Sequence, residues 1–341
     1  MSSTTLCPRT LAKDLTRHRT PSAGQALFEL AVTLIPFALF WTAAVVSAQR
    51  GWWAGLLFTV PAAAFLVRAF LIQHDCGHGA FFPSKAANDW TGRILGVVTL
   101  TPYAYWRQTH AIHHATSGHL DRRIAGGIDT FTVDEYRAMS PLRRWGYRAY
   151  RHPLMQFVLG PAFVFLIQHR VPVDLMHAGW RPWASAMATN VAAAIGFFAL
   201  GSWLGWGPFL MVHLSSVAMA ASLGVWLFYV QHQFEETHWS RQGRWQRDEA
   251  ALHGSSYYDL PTPLRWLTAN IGVHHVHHVD SRIPFYRLGE VLKERPELKT
   301  IGRITVGDSL RCMKLALWDE GHNRMVSFRE ADRMVAFDTG R

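Results

Sequence analysis

Cysteine is scarce. The 341 residues contain three, Cys7, Cys76 and Cys312. That excludes a disulfide framework, and three thiols alone cannot furnish a Cys-rich zinc or iron–sulfur site. Charge is scarce as well: 17% of residues are Asp, Glu, Lys or Arg, against 49% hydrophobic. A chain with so little charge has ample apolar surface to bury, which excludes intrinsic disorder. No internal repeat, low-complexity tract or linker divides it, and the length fits one large domain or two ordinary ones. Acid is the weaker sign, with 24 Asp and Glu against 34 Lys and Arg, a net charge of +10. The residue in excess is histidine. There are 19, more than twice the share expected from an average composition of roughly 2%.

The apolar residues are concentrated. Residues 26–48, 51–72, 184–204 and 208–230 are nearly free of charge, and each is long enough to cross about 30 Å of hydrocarbon as a helix. Soluble helices of that length keep a polar stripe, so these segments read as membrane spans. They come as two tight hairpins: Gln49 and Arg50 separate the first pair, and Gly205, Trp206 and Gly207 the second. Trp52, Trp53, Trp203 and Trp206 lie at these tips, where amphipathic rings favour the headgroup level. Residues 26–48 resemble a signal peptide only superficially, since both the apolar stretch and its leader are too long. Shorter apolar segments at 94–106 and 154–167 suit interfacial or re-entrant helices.

Basic residues are one-sided. The first 25 residues hold four Lys or Arg, residues 73–183 twelve and residues 231–341 sixteen, whereas the hairpin tips hold only Arg50. Positive-inside logic puts both termini and the central segment in the cytoplasm. Arg68, near the end of its span, is expected to snorkel to the interface.

The histidines cluster on that cytoplasmic side. His74-Asp75-Cys76-Gly77-His78, His110-Ala111-Ile112-His113-His114 and His274-His275-Val276-His277-His278 reduce to HxxxH, HxxHH and HxxHH. Spacings of three and four residues put imidazoles on one helix face. Each cluster can therefore aim two or three nitrogens at one point. Eight such donors exceed the needs of one ion and suit two, five- or six-coordinate and bridged. Zinc, which prefers four ligands, fits poorly. Imidazole-rich sites with open positions favour redox-active iron. Glu235 and His238 form a single Glu-x-x-His, which reads as coincidence because carboxylate-rich di-iron bundles use it in pairs.

The boxes HDCGH, HAIHH and HHVHH, the paired spans and the shared sidedness resemble the membrane fatty acyl desaturase family. HHATSGHLDRR (113–123), FYVQHQFEETHW (228–239) and NIGVHHVHHVDSRIPFYRL (270–288) are similar to bacterial and plastid-type acyl-lipid desaturases of the delta-12 or omega-6 kind. The resemblance spans about residues 26–310, leaving an N-terminal segment 1–25 and a C-terminal tail 311–341. It implies an all-α membrane protein of four spans in two hairpins, with a cytoplasmic helical cap carrying a di-metal site. The implied ligands are His74, His78, His110, His113, His114, His274, His277 and His278, with His232 as a ninth. His275 falls at a variable place and is expected to point away. Asp75, Asp121 and Glu235 are candidates to accept the free N–H of ligating imidazoles, and Asn270 to hold a metal-bound water or cap a helix. His119 departs from the family pattern: it is expected to face solvent at a helix end, the alternative being an extra ligand or a partner of one. His213, alone in a span, either lines a cavity or bonds between helices.

The resemblance further implies two Fe ions, O2 as co-substrate and a cis double bond in a lipid-linked acyl chain. A hydroxylase or carotenoid ketolase shares the same boxes and is the alternative. A non-catalytic membrane metal-binding protein is the second alternative, disfavoured because transport sites sit at mid-membrane. The sequence carries no dinucleotide-binding glycine motif, flavin motif, heme-attachment site or fused cytochrome b5-like domain. An external electron donor, ferredoxin or a cytochrome b5-like protein, is therefore implied, and no nucleic-acid partner. The expected location is multi-pass in a bacterial inner membrane.

Overall fold

The computed structural model describes residues 7–123 and 126–338. The outermost residues of the two expected terminal segments lie outside them. Among the described residues the chain runs through sixteen α-helices: α1 Pro8–Leu15, α2 Ala23–Gln49, α3 Thr59–Gly77, α4 Lys85–Val98, α5 Tyr103–Thr116, α6 Val133–Ala138, α7 Pro141–Tyr150, α8 Gly160–Leu166, α9 Trp180–Leu204, α10 Trp206–His232, α11 Arg247–His253, α12 Thr262–Leu267, α13 His274–Val279, α14 Phe285–Glu294, α15 Val306–Cys312 and α16 Phe328–Asp338. Five short strands interrupt them: β1 Phe131–Thr132, β2 Tyr257–Asp259, β3 Arg303–Thr305, β4 Leu315–Asp319 and β5 Arg324–Ser327.

Among the described residues, four helical stretches are long and apolar enough to cross a membrane: Ala23–Gln49, Trp53–Gly77, Trp180–Leu204 and Trp206–His232. They match the four expected spans, each longer by a few residues. Ser22 starts α2, its hydroxyl accepting the Gln25 N–H, as an N-cap does. Gly205, at φ +85, separates α9 from α10, and the bare Gly201 lets the Trp206 ring lie where a Cβ would clash. α3 is the central helix, packed against α2, α4 and α10. The outward sides of α2 and α9 are apolar and exposed, with Leu39 at 65% and Phe198 at 68%. Such a surface suits hydrocarbon rather than water.

Arg68 corrects an expectation. It does not snorkel: it is 1% exposed and pairs with buried Glu29 of α2, while its Nε donates to Thr33. The same guanidinium donates to the Trp266 carbonyl of α12 and lies 4.4 Å from the Trp266 ring centroid. It thereby ties α2 and α3 to the polar part of the chain.

The all-α expectation is also corrected. β1 pairs in parallel with β4, which pairs antiparallel with β5; β2 pairs in parallel with β3. Two capping boxes, Thr132 with Glu135 and Thr305 with Asp308, turn β1 and β3 directly into α6 and α15. Residues 315–338, read from sequence as tail, thus pack as a hairpin and helix on a satellite core of Val133, Tyr147, Leu317 and Val326. Arg151 anchors this part. It is 4% exposed and donates to the Leu315 and Asp129 carbonyls, to Tyr229 and to Gln233 at the end of α10.

Candidate metal centre

Four helix ends converge. His74 lies on the last turn of α3 and His78 caps it. His110, His113 and His114 occupy the second half of α5. His232 is the last residue of α10. His274, His277 and His278 lie on α13, which is only six residues long. The C-terminal turns of α3, α5 and α10 point unpaired carbonyls and the negative dipole end this way, which favours a cation.

The nine imidazoles fall into two groups. His74, His78, His110, His114 and His277 form one, and His113, His232, His274 and His278 the other; within each, the candidate donor atoms lie within 4.8 Å of one another. Helical geometry explains the division. On α5, positions four apart (His110, His114) serve the first group, and His113, turned by about 100° from its neighbour, serves the second. On α13 the shares are reversed, with His274 and His278 in the second group and His277 in the first. The rings of His114 and His278 stack across the two groups, centroids 4.1 Å apart.

The spacing of donors constrains what fits. Nε2 atoms stand 3.1 Å apart for His78–His110, His110–His114 and His113–His232, and 3.0 Å for His232–His274. The pairs His114–His277 and His274–His278 are at 3.2 and 3.1 Å. With metal–nitrogen bonds of about 2.1 Å, donors at right angles stand about 3.0 Å apart and tetrahedral donors about 3.4 Å. The observed spacing is that of right-angled ligands. The first group offers one imidazole more than a tetrahedral ion takes.

The donors are poised to be neutral. Burial, reinforced by neighbouring imidazoles, holds His78, His110, His113, His114, His274, His277 and His278 well below the ordinary histidine range. At neutral pH each ring keeps one nitrogen lone pair with which to bind a cation. Two tautomers are set by the surroundings. His232 Nδ1 donates to the Gly254 carbonyl at 3.2 Å, and His74 Nδ1 lies 3.2 Å from Asp75 Oδ1, which leaves Nε2 of each as the free donor. Asp75 also accepts the Phe285 N–H at 2.6 Å. The Phe285 carbonyl in turn accepts from Asn270 at 3.2 Å, so a chain of bonds joins the first box to the loop before the third. Asn270 therefore does not cap α13, whose N-cap is Val273. It sits at φ +53 after Ala269 at +49, a left-handed pair that Asn tolerates better than Ala.

Other expected residues lie elsewhere. The Asp121 carboxylate accepts from Arg241 and from the Gln242 N–H, and Glu235 pairs with Arg324 at 3.1 Å. Neither touches an imidazole of the two groups, because each follows a helix end, where helical spacing no longer holds. His119 faces inward rather than outward: it is 1% exposed, bonds Gln242 at 2.8 Å and lies over Trp245. His275 turns away from both groups and bonds the Leu298 carbonyl. His238 meets Ser240. His213 packs among Trp41, Phe197 and Phe209, and its Nε2 has no hydrogen-bond partner among the described residues.

Two aromatic neighbours escaped the sequence reading. Trp106 stacks on His110 at 4.6 Å, and Phe228 lies 5.1 Å from both His113 and His232. The only signal was spacing: each precedes its histidine by four residues on one helix.

Comparison with known proteins identifies the family. The fatty acid desaturase family profile matches residues 50–304. A protein described as fatty acid desaturase in Bacillus subtilis is 41% identical over 319 residues, 94% of this chain and 90% of that one. Two Synechocystis proteins are more distant. The sn-1 acyl-lipid omega-3 desaturase (ferredoxin) is 27% identical over 64% of this chain and 61% of its own, and the sn-1 oleoyl-lipid 12-desaturase is 28% identical over 65% and 63%. The match thus spans less than two thirds of those two. With the profile over most of its length and a close relative end to end, the chain belongs to the fatty acid desaturase family and is an enzyme of lipid metabolism.

Proposed function

We propose that this enzyme uses O2 to introduce a cis double bond into a lipid-linked acyl chain, at the delta-12 (omega-6) position of an 18-carbon chain that already bears one. The observation that carries the reading is the pair of histidine groups, five and four imidazoles at right-angle spacing. Two iron ions, held by His74, His78, His110, His114 and His277 and by His113, His232, His274 and His278, would supply the oxidising power that no side chain has. The overall change balances as two methylenes, O2, two electrons and two protons giving one double bond and two waters.

The chain's own contribution is position and shelter. An apolar pocket between α3, α8 and α10 is lined by Val67, Phe70, Phe165, Ala220, Ala221 and Gly224. Phe70 meets Trp106 edge-on at 5.3 Å, and Trp106 stacks on His110. This contact links the pocket to the first histidine group; the pocket encloses only about 20 Å³, and the acyl chain would pass here by displacing these side chains. Holding one pair of carbons near the metals and excluding water are what such walls provide. The spans would lie as two hairpins, with termini and histidines on the cytoplasmic face of a bacterial inner membrane. A ferredoxin-like protein would supply the electrons, as the name of one Synechocystis relative states for that protein.

Purified protein tests the reading. It should hold two irons per chain and, with reduced ferredoxin and O2, form a dienoic product from an oleoyl lipid. A zinc-only preparation, or hydroxylated or keto products in place of the diene, would overturn it.

A further inference from the structure

The established family and the acyl pocket do not say where electrons enter. A second cavity bears on this. It opens between α1, α11 and the loop after α13, with a volume of about 270 Å³. Its inner wall includes His114 and His278, one imidazole from each group, and these are the two rings that stack at 4.1 Å. His114 is partly exposed. The cavity therefore reaches both groups at the point where they touch.

Its rim is charged unevenly. The two acids are spoken for: Asp280 pairs with Arg19 and Asp248 with Arg9. Arg247 and Arg282 also line the opening, are exposed, and make no ion pair among the described residues. The opening thus presents two uncommitted guanidinium charges directly above a stacked pair of candidate ligands. Uncommitted charge of one sign at a rim steers an oppositely charged partner and fixes its approach more than it adds affinity. Arginine, weakly hydrated and geometrically suited to carboxylates, is the fitting residue.

We propose that this cleft is the docking site of an acidic one-electron carrier protein, which places its carboxylates on Arg247 and Arg282. It delivers one electron per encounter through the His114–His278 pair, and two encounters supply each turnover, the carrier being oxidised by one electron each time. The inference rests on the desaturase reading. That reading requires two electrons, and the chain shows no motif for a cofactor of its own that would bring them.

The test compares donor-driven with mediator-driven turnover in the full-length enzyme. R247E/R282E is assayed with a reduced acidic ferredoxin and, separately, with dithionite and a neutral small mediator. The apparent KM for ferredoxin should rise at least ten-fold at low ionic strength and lose its dependence on salt. The KM for the acyl substrate and the mediator-driven rate should stay at wild-type values. R247K/R282K, which keeps the charge, should restore most of the ferredoxin response. R143E, on α7 outside the cleft, should leave it unchanged. Unaltered ferredoxin kinetics in R247E/R282E would overturn the proposal, as would an equal loss with the mediator. Should the double variant misfold, R247E and R282E singly are expected to show the same change in smaller measure. A wild-type enzyme inert with both reductants would instead defeat the desaturase reading, and this inference with it.

Discussion

Gly224 offers a direct way to ask whether the apolar pocket holds the acyl chain. It lies on α10 facing the pocket, and a Cβ built there meets nothing within 4 Å. Leucine at this position adds four carbon atoms to the pocket without a clash at the backbone. It also improves helix propensity by roughly 1 kcal/mol over glycine, so the fold should not suffer. Each methylene of substrate kept from burial costs about 0.8 kcal/mol, or about fourfold in apparent affinity. If the added side chain displaces one or two methylenes, the loss is about 0.8 to 1.6 kcal/mol, roughly 4- to 15-fold in kcat/KM for an 18-carbon chain. Shorter chains that end before the obstruction should lose little. The assay is competition between 14-, 16- and 18-carbon acyl lipids, with products resolved by gas chromatography. A Gly224→Leu enzyme that is folded and metal-loaded but retains the wild-type chain-length preference would refute the assignment of the pocket.

Other perturbations separate the roles assigned above. His232→Ala should lower bound iron from two toward one per chain and abolish turnover, whereas His275→Ala should keep both irons; metal analysis of purified protein decides. Glu29→Ala strands Arg68 in an apolar site and should cost about 3–5 kcal/mol in thermal or denaturant unfolding, while Glu29→Gln with Arg68→Met should recover much of that loss. Asp75→Asn should weaken metal retention about 10- to 100-fold against a chelator, because the amide cannot support the His74 ring as a carboxylate does. Acid should destabilise the metal-stripped protein in a stated direction. Burial holds the box histidines well below the ordinary range and pushes His275 down to about 4, so the unfolded chain binds more protons below its own value of about 6.5. Stability should be full above about pH 6.5 and fall as pH drops toward 4; a flat profile between those values would contradict the burial described.

Much of the site was legible because helical periodicity is local. Spacings of three and four carried the eight box histidines onto common faces, and only the division between two groups needed the third dimension. His232 was reachable only through resemblance, since a lone histidine after a span has no spacing partner. Four spans were readable from length and the absence of charge. Contacts far apart in sequence were not. Arg68 looked free to reach the interface because its partner, Glu29, lies on another helix 39 residues earlier. The strands are two to five residues long, too short for a period-two pattern to register. Asp121 and Glu235 follow the ends of α5 and α10, where the chain turns and carries them to Arg241 and Arg324 instead. His119 reads as a polar residue at a helix end, yet the parallel bridge between His119 and Ser240 closes over it.

The central claim is that the histidine groups carry out acyl desaturation. Its most direct test is the fatty-acid profile of a host that lacks dienoic acids and expresses this protein. The wild-type chain should produce a cis dienoic 18-carbon acid under air, and His113→Ala, expressed to the same level, should produce none. An unchanged acyl profile with the wild-type chain, or the same diene from His113→Ala, would contradict the account.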